Sequence, residues 1–381
     1  MIYADNSATS YPKPERIYDN TITFYRENGA NPGRSQNKYS IRSAAGIERT
    51  RELAARLFHV KNPDRIAFTL NATDSLNMAI KSVLEEGDEA ICSVLDHNSV
   101  SRPLNHLARD NGIKVHRLEI EDGIISLSGL KKALNKRTKL VVINHVSNVC
   151  GWIMPLAEYI SIIKEQSDAL VLIDAAQSAG LVDINITELG IDMLAFTGHK
   201  ALYGFMGVGG LYVRDGLQVK PLRVGGSGSS SELEYHPTEM PERLEAGTEN
   251  LPGIYSLGEG ISFINETGLD NIYNKDRMLG EKLADGLSSI DRVKVYGADK
   301  NENRLAIISV NIEGLSPAET SGILDSEYGI SVRSGLHCAP YIHKYLNTLP
   351  SGTVRFSLSY FNTIDEIESI TRAVAEIAEN I

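Results

Sequence analysis

Lys200 closes the stretch Ile191-Asp-Met-Leu-Ala-Phe-Thr-Gly-His-Lys200, in which an apolar run passes into Thr197, Gly198 and His199. The run predicts a buried strand, and the glycines around it predict a loop, so the amine sits at a strand end. A lone lysine there is ordinarily a solvated surface group. Twenty-six residues upstream, however, Ala169-Leu-Val-Leu-Ile-Asp174 predicts a second β-rich run that closes on a carboxylate. A carboxylate ending a hydrophobic strand requires a cation or strong hydrogen bonds, because burying it unpaired is costly.

Other residues carry chemistry of their own. Phe68-Thr-Leu-Asn-Ala-Thr73 passes from strand into helix and leaves free N–H groups at a helix N-terminus, which is an anion site. An ordinary N-cap by Thr73 explains the same residues equally well. Arg355, in Val354-Arg-Phe-Ser, offers a planar guanidinium that can bind a carboxylate bidentately; without context it reads as a surface arginine on an edge strand. Cys338 lies in Ser331-Val-Arg-Ser-Gly-Leu-His-Cys-Ala-Pro340, beside His337 and flanked by Gly335 and Pro340. That loop setting predicts an accessible, activated thiolate, whereas Cys92 inside a strand reads as a small core residue.

A Schiff-base lysine with an aspartate on a protonated pyridine nitrogen is the arrangement that pyridoxal phosphate demands. The lysine holds the aldehyde and the aspartate keeps the ring an electron sink. On these residues the chain resembles the fold-type I enzymes of that cofactor, specifically the class V aminotransferase-like group containing cysteine desulfurases and selenocysteine lyases. Matching stretches run from Tyr3-Ala-Asp-Asn-Ser-Ala-Thr9 to Thr353-Val-Arg-Phe-Ser-Leu-Ser-Tyr-Phe-Asn-Thr363, nearly the whole chain.

The resemblance implies further roles. It places the cofactor phosphate on the Ala72–Thr73 backbone and the Thr73 hydroxyl, with Thr197 and His199 adding side-chain donors. It makes Thr248, in Glu245-Ala-Gly-Thr-Glu-Asn250, a threonine that reaches the phosphate of a neighbouring subunit, which implies a homodimer. It stacks His97 on the pyridine ring as a proton shuttle with a pKa in the physiological range. Asn148 and Gln177 are expected to hydrogen-bond the ring's 3-oxygen, and Arg355 to anchor the substrate carboxylate. The Arg-x-Gly-x-His-Cys-Ala pattern resembles that of desulfurases with a short catalytic loop. The implied reaction takes sulfur from L-cysteine onto Cys338 as a persulfide, releases L-alanine and hands the sulfur to an acceptor thiol or protein. L-selenocysteine fits the same scheme. Two other readings stay open: another reaction of the cofactor with Cys338 structural, and a catalytically silent sulfur-carrier or interaction protein that keeps the fold. Leu336 stands where such enzymes often carry a second histidine, and Pro32-Gly-Arg-Ser-Gln-Asn-Lys38 lacks a histidine expected near Asn37. Both departures bear on substrate preference.

These residues need a scaffold. With 381 residues and 42% hydrophobic content the chain can bury a large core and has room for two or three domains. A net charge of −11 argues against nucleic acid or an anionic membrane as the main partner. No apolar run approaches the roughly 18–20 residues of a membrane span, and no secretory signal pattern opens the chain. Cys92, Cys150 and Cys338 are widely spaced, which suits a reducing cytoplasm, and no pair has metal-ligand spacing.

Strand and helix patterns alternate from Arg65 to Val213. They predict an α/β fold, a mostly parallel sheet (seven-stranded in the fold-type I layout) covered by helices on both faces. Ligands bind at the carboxyl ends of such strands, where Asn71 to Thr73, His97, Asn148, Asp174 and Lys200 all fall. The pattern changes from Val293, where strands and helices predict a smaller α+β domain. The expected division is a large domain over 16–255 and a small one over 1–15 and 256–381, with the N-terminal arm packed on the latter. Gly225-Gly-Ser-Gly-Ser-Ser-Ser231 is expected to be an active-site loop.

Overall fold

Seven short runs rich in Val, Ile, Leu and Ala pair into one sheet. Its spatial order is Ile66–Thr69, Gly209–Val213, Met193–Thr197, Leu170–Asp174, Thr138–Asn144, Glu89–Ser93 and Lys114–Leu118. The strands from Met193–Thr197 through Lys114–Leu118 are mutually parallel, and Gly209–Val213 runs antiparallel to both its neighbours. The computed structural model describes residues 1–32, 37–226, 233–297 and 303–381. Parallel strands buried on both faces read as continuous apolar runs, and Met193 to Phe196 and Val171 to Ile173 are accordingly sealed from solvent. Helices Ala72–Val83 and Asn98–Asn111 contribute to the core on one face. The core on the other includes Lys38–Leu57, Leu156–Gln166 and Leu251–Thr267.

A second sheet of four antiparallel strands follows, in the order Val293–Tyr296, Ile307–Ile312, Thr353–Ser357 and Arg333–Gly335. Helices Leu269–Ser288, Pro317–Tyr328 and Ile364–Glu379 complete its core. The N-terminal arm joins this unit: Ile2 and Tyr3 pair in parallel with Ile330 and Ser331, and Asp5 bridges to Ser357. From there the arm crosses to the large sheet, where the Thr9 hydroxyl donates to the His199 carbonyl at 3.0 Å.

The alternation of strands and helices expected from Arg65 to Val213, and the smaller α+β unit expected after Val293, are both present. Helix Leu251–Thr267 starts where Asn250 caps it by accepting from the Gly253 N–H at 3.1 Å, and Pro252 fits its first turn. Thr353–Ser357 is an interior strand, so Arg355 stands on no sheet edge and is only 1% exposed. Residues 227–231 of the expected glycine- and serine-rich loop, and 33–36 of the stretch around Asn37, lie outside the described residues.

Candidate active site

At the carboxyl ends of the large sheet a cavity of about 280 Å³ is lined by residues from both sheets and the N-terminal arm. Asn71 to Thr73, His97, Asn148, Asp174, Gln177, Thr197, His199, Lys200 and Arg355 all face it, joined by Ser7, Ala8, Ser99 and Arg333. The large-sheet residues meet because they lie at strand ends or in the loops that follow, while Arg333 and Arg355 come from neighbouring strands of the smaller sheet.

The helix Ala72–Val83 opens one wall. Its cap is Asn71, whose side chain accepts from the Asp74 N–H at 3.0 Å. The alternative of an N-cap by Thr73 is thereby corrected: Thr73 is inside the first turn, and the N–H groups of Ala72 and Thr73 are left for an anion. Gly209 lets the antiparallel strand pass under this turn, since a Cβ there would lie 2.7 Å from the Asn71 carbonyl carbon. The Thr73 hydroxyl meets Ser99 Oγ at 2.7 Å, and Ser99 Oγ meets His97 Nδ1 at 2.8 Å. Because Nδ1 also accepts the Ser99 N–H at 3.1 Å, the ring proton belongs on Nε2.

Electrostatics correct one expectation. Burial first, then the cations Lys200, Arg333, Arg355 and Arg102, hold the His97 pKa down at about 4. The imidazole is therefore neutral at physiological pH and does not titrate there. Burial also pulls Lys200 down to about 8, with Asp174 opposing it and Arg355 and Arg333 reinforcing it. Asp174, 3% exposed, is pushed up by burial and drawn back by the Ala176 N–H, which donates to it at 3.0 Å, and by Lys200. Such a carboxylate needs a cationic partner aimed at it from the cavity.

The two amides donate to backbone carbonyls. Gln177 Nε2 donates to the Ser7 carbonyl at 3.2 Å, and Asn148 Nδ2 to the His337 carbonyl at 2.7 Å. Arg355 donates through one terminal nitrogen to the Asn148 carbonyl at 3.1 Å and through the other to Asp5 Oδ1 at 2.5 Å. Burial lowers the Arg355 pKa and the Asp5 carboxylate raises it again. Five buried polar atoms on residues lining this cavity have no protein partner: Asn144 Oδ1, Asn148 Oδ1, Thr197 Oγ1, His199 Nδ1 and Arg355 Nε. Unpaired buried polar atoms are expensive unless a ligand completes them. Together with a helix N-terminus, a depressed lysine and a buried aspartate, they fit a phosphate-bearing aldehyde on a basic ring.

Cys338 sits on a turn in which both His337 and Cys338 have positive φ, 48° and 58°. Non-glycine residues rarely hold that conformation, so it must be over-determined by its surroundings. The Asn98 N–H donates to the Cys338 carbonyl at 2.7 Å. The His337 Nε2 lies 3.0 Å from Thr353 Oγ1 and 3.1 Å from its carbonyl. Arg333 donates to Cys338 Sγ at 3.3 Å. Cys338 itself is partly exposed, in contrast to the sealed Cys92 and Cys150. Thr248 lies apart, in a cavity of about 80 Å³ with Phe68, Gly207 and Asn250.

Sequence reasoning missed Asp5, Ser99 and Arg333. Arg333 lay inside the motif around Cys338. Asp5 was visible as a carboxylate on an apolar arm, and Ser99 carried no separate signal.

The fold and this site define a class of protein, and residues 2–370 match the family model described as aminotransferase class-V. The chain belongs to that family. A probable cysteine desulfurase of Pyrococcus abyssi is 34% identical over 100% of this chain and 95% of its own length. A cysteine desulfurase of Escherichia coli is 31% identical over 99% and 93%. Among solved structures, the apo form of a cysteine desulfurase from Thermococcus onnurineus superimposes with a TM-score of 0.93, at 33% identity over 100% of this chain and 95% of that one.

Proposed function

We propose that this protein is a cysteine desulfurase, which takes the sulfur of L-cysteine onto Cys338 and releases L-alanine, with pyridoxal phosphate held in the Lys200 cavity. The observation that carries the reading is Cys338 beside Arg333, on a constrained turn at the rim of a cavity that contains a depressed lysine and a buried aspartate. The relatives named above support it.

The phosphate is assigned to the N–H groups of Ala72 and Thr73 with the Thr197 hydroxyl and His199. Asp174 would partner the pyridine nitrogen and keep it protonated, His97 would cover the ring, and Gln177 and Asn148 would serve its oxygen. When bound, the cofactor supplies an electron-withdrawing ring that acidifies the substrate Cα–H and weakens the Cβ–S bond. Arg355 takes the substrate carboxylate in its guanidinium fork, sharing it with Asp5. Lys200 Nζ, poised near neutral pH, removes the Cα proton. Cys338 Sγ attacks the substrate sulfur: the new S–S bond forms as Cβ–S breaks, protonation of Cβ gives the methyl group, and Lys200 returns a proton to Cα to complete alanine. Arg333 fixes the direction of Sγ. Neutral His97 acts through its Nε2–H as a donor. L-Selenocysteine is included as a second substrate of the same geometry.

The chain is taken to work as a homodimer in which Thr248 serves the partner's phosphate site, which accords with its separation from the Lys200 cavity. The three free cysteines favour the reducing cytoplasm, and no helix among the described residues is long and apolar enough to cross a membrane. The division into 16–255 against 1–15 with 256–381 is kept as a proposal in outline, supported by the separate core beneath the four-stranded sheet, although helix Leu251–Thr267 packs as one piece in the core of the large sheet.

Cys338→Ala tests the reading. Cofactor absorbance should persist while alanine and sulfide formation from L-cysteine fall by about 100-fold or more. Borohydride reduction should attach the cofactor at Lys200. Retained alanine formation in Cys338→Ala, or a label elsewhere, sinks the proposal.

A further inference from the structure

Beyond the rim, Cys338 opens on its outer side into a second cavity of about 470 Å³. Thr73, His97 and Ser99 line this space as well as the first, so the two adjoin. Its remaining wall comes from two helices. Asn77 and Lys81 are one turn apart on Ala72–Val83, and Arg102 and His106 are one turn apart on Asn98–Asn111. Among the described residues, no aspartate or glutamate lines it. The nearby carboxylates are engaged: Asp74 with Arg223 at 2.9 Å, and Asp110 with Arg109 at 2.6 Å and with the recess-lining His106 at 3.7 Å. Lys81 and Arg102 are exposed and form no ion pair among the described residues. In a chain of net charge −11 this is a local cationic recess, and it leads directly to the sulfur. The field of Arg102 reaches the floor, where it helps keep His97 neutral.

We propose that this recess admits the thiol that unloads Cys338, and that the thiol it selects is a small molecule bearing carboxylates, which Lys81 and Arg102 recognise. The proposal rests on the desulfurase reading. The volume lies within the range of small-molecule sites, and two unpaired cations across the space match two carboxylates. In the step itself the acceptor thiolate attacks the outer sulfur of the Cys338 persulfide. One S–S bond forms, the Cys338 Sγ–S bond breaks, and Cys338 leaves as thiolate. The acceptor's proton goes to water, so no external oxidant or reductant enters.

The test loads the cofactor-bound protein with one equivalent of L-cysteine, measures alanine, then mixes it rapidly with mercaptosuccinate, 2-mercaptoethanol or cysteamine. Rates are normalised to each thiol's reaction with a small disulfide. Mercaptosuccinate should empty Cys338 about tenfold faster than the neutral thiol at low salt, with cysteamine slowest. The advantage should shrink at high salt, where the Debye length is short, and reverse in Lys81→Glu/Arg102→Glu. Equal normalised rates for the three thiols, or a preference that survives both salt and the double substitution, overturns the recess while leaving the desulfurase reading intact. Absence of alanine from the unsubstituted protein overturns both.

Discussion

Asn148 Nδ2 donates to the carbonyl oxygen of His337 at 2.7 Å, and so ties the cofactor cavity to the turn that carries Cys338. The same residue's own carbonyl accepts from Arg355. One amide thereby touches the carboxylate-binding arginine through its backbone and the nucleophile's loop through its side chain. The positive φ of His337 and Cys338 makes that tie consequential, because a strained turn relaxes when a restraint is lost.

Asn148→Ala should therefore loosen the Cys338 turn. Leaving the buried His337 carbonyl unsatisfied costs about 1–3 kcal/mol, seen as a lower denaturant midpoint. Iodoacetamide should alkylate Cys338 several-fold faster than in the unsubstituted protein. An unchanged alkylation rate would show that Asn98 and Thr353 hold the turn without help.

The depressed Lys200 sets a pH profile. A lysine at about 8 in place of its ordinary 10.5 becomes a neutral nucleophile earlier as pH rises. Uptake of pyridoxal phosphate by apoprotein, followed by absorbance, should accelerate from pH 6.5 and level off above pH of about 8.5. A rate still climbing tenfold per unit at pH 9.5 would contradict the burial of this amine.

Arg333 donates to Cys338 Sγ, so Arg333→Ala removes a hydrogen bond from a charged donor, of the kind worth about 1.5–3 kcal/mol. Sulfur transfer should slow by about 10- to 100-fold with the cofactor spectrum unchanged, and Arg333→Lys should restore part of it. Single-turnover alanine formation is the measurement.

Arg51 is 1% exposed and pairs with Glu245 at 2.8 Å, with the Ile66 carbonyl beside it. Arg51→Ala strands a buried carboxylate and should cost about 3–5 kcal/mol. Arg51→Met with Glu245→Gln should recover much of that loss in a thermal or urea melt. Equal destabilisation by the single and double substitutions would rule out the unpaired charge as the cause.

The sheet strands were legible because each is a short apolar run ended by glycine or a polar residue, and local pattern specifies burial for such segments. Lys200, Asp174 and Cys338 were legible for a related reason: chemistry at a strand end or in a glycine-flanked loop contradicts the surrounding apolar pattern. Folding decided what each meets. Arg355 looked like an edge-strand arginine until Arg333–Gly335 covered its outer side. Histidine 97 looked titratable until burial and four cations gathered from residues 102, 200, 333 and 355 fixed it neutral. Asp5 finds Arg355 across 350 positions of chain. The residue types and their places at element ends are local properties, determined by sequence alone. Charge state, hydrogen-bond partners and the strain at Cys338 depend on groups remote in sequence, and only the tertiary packing brings those together.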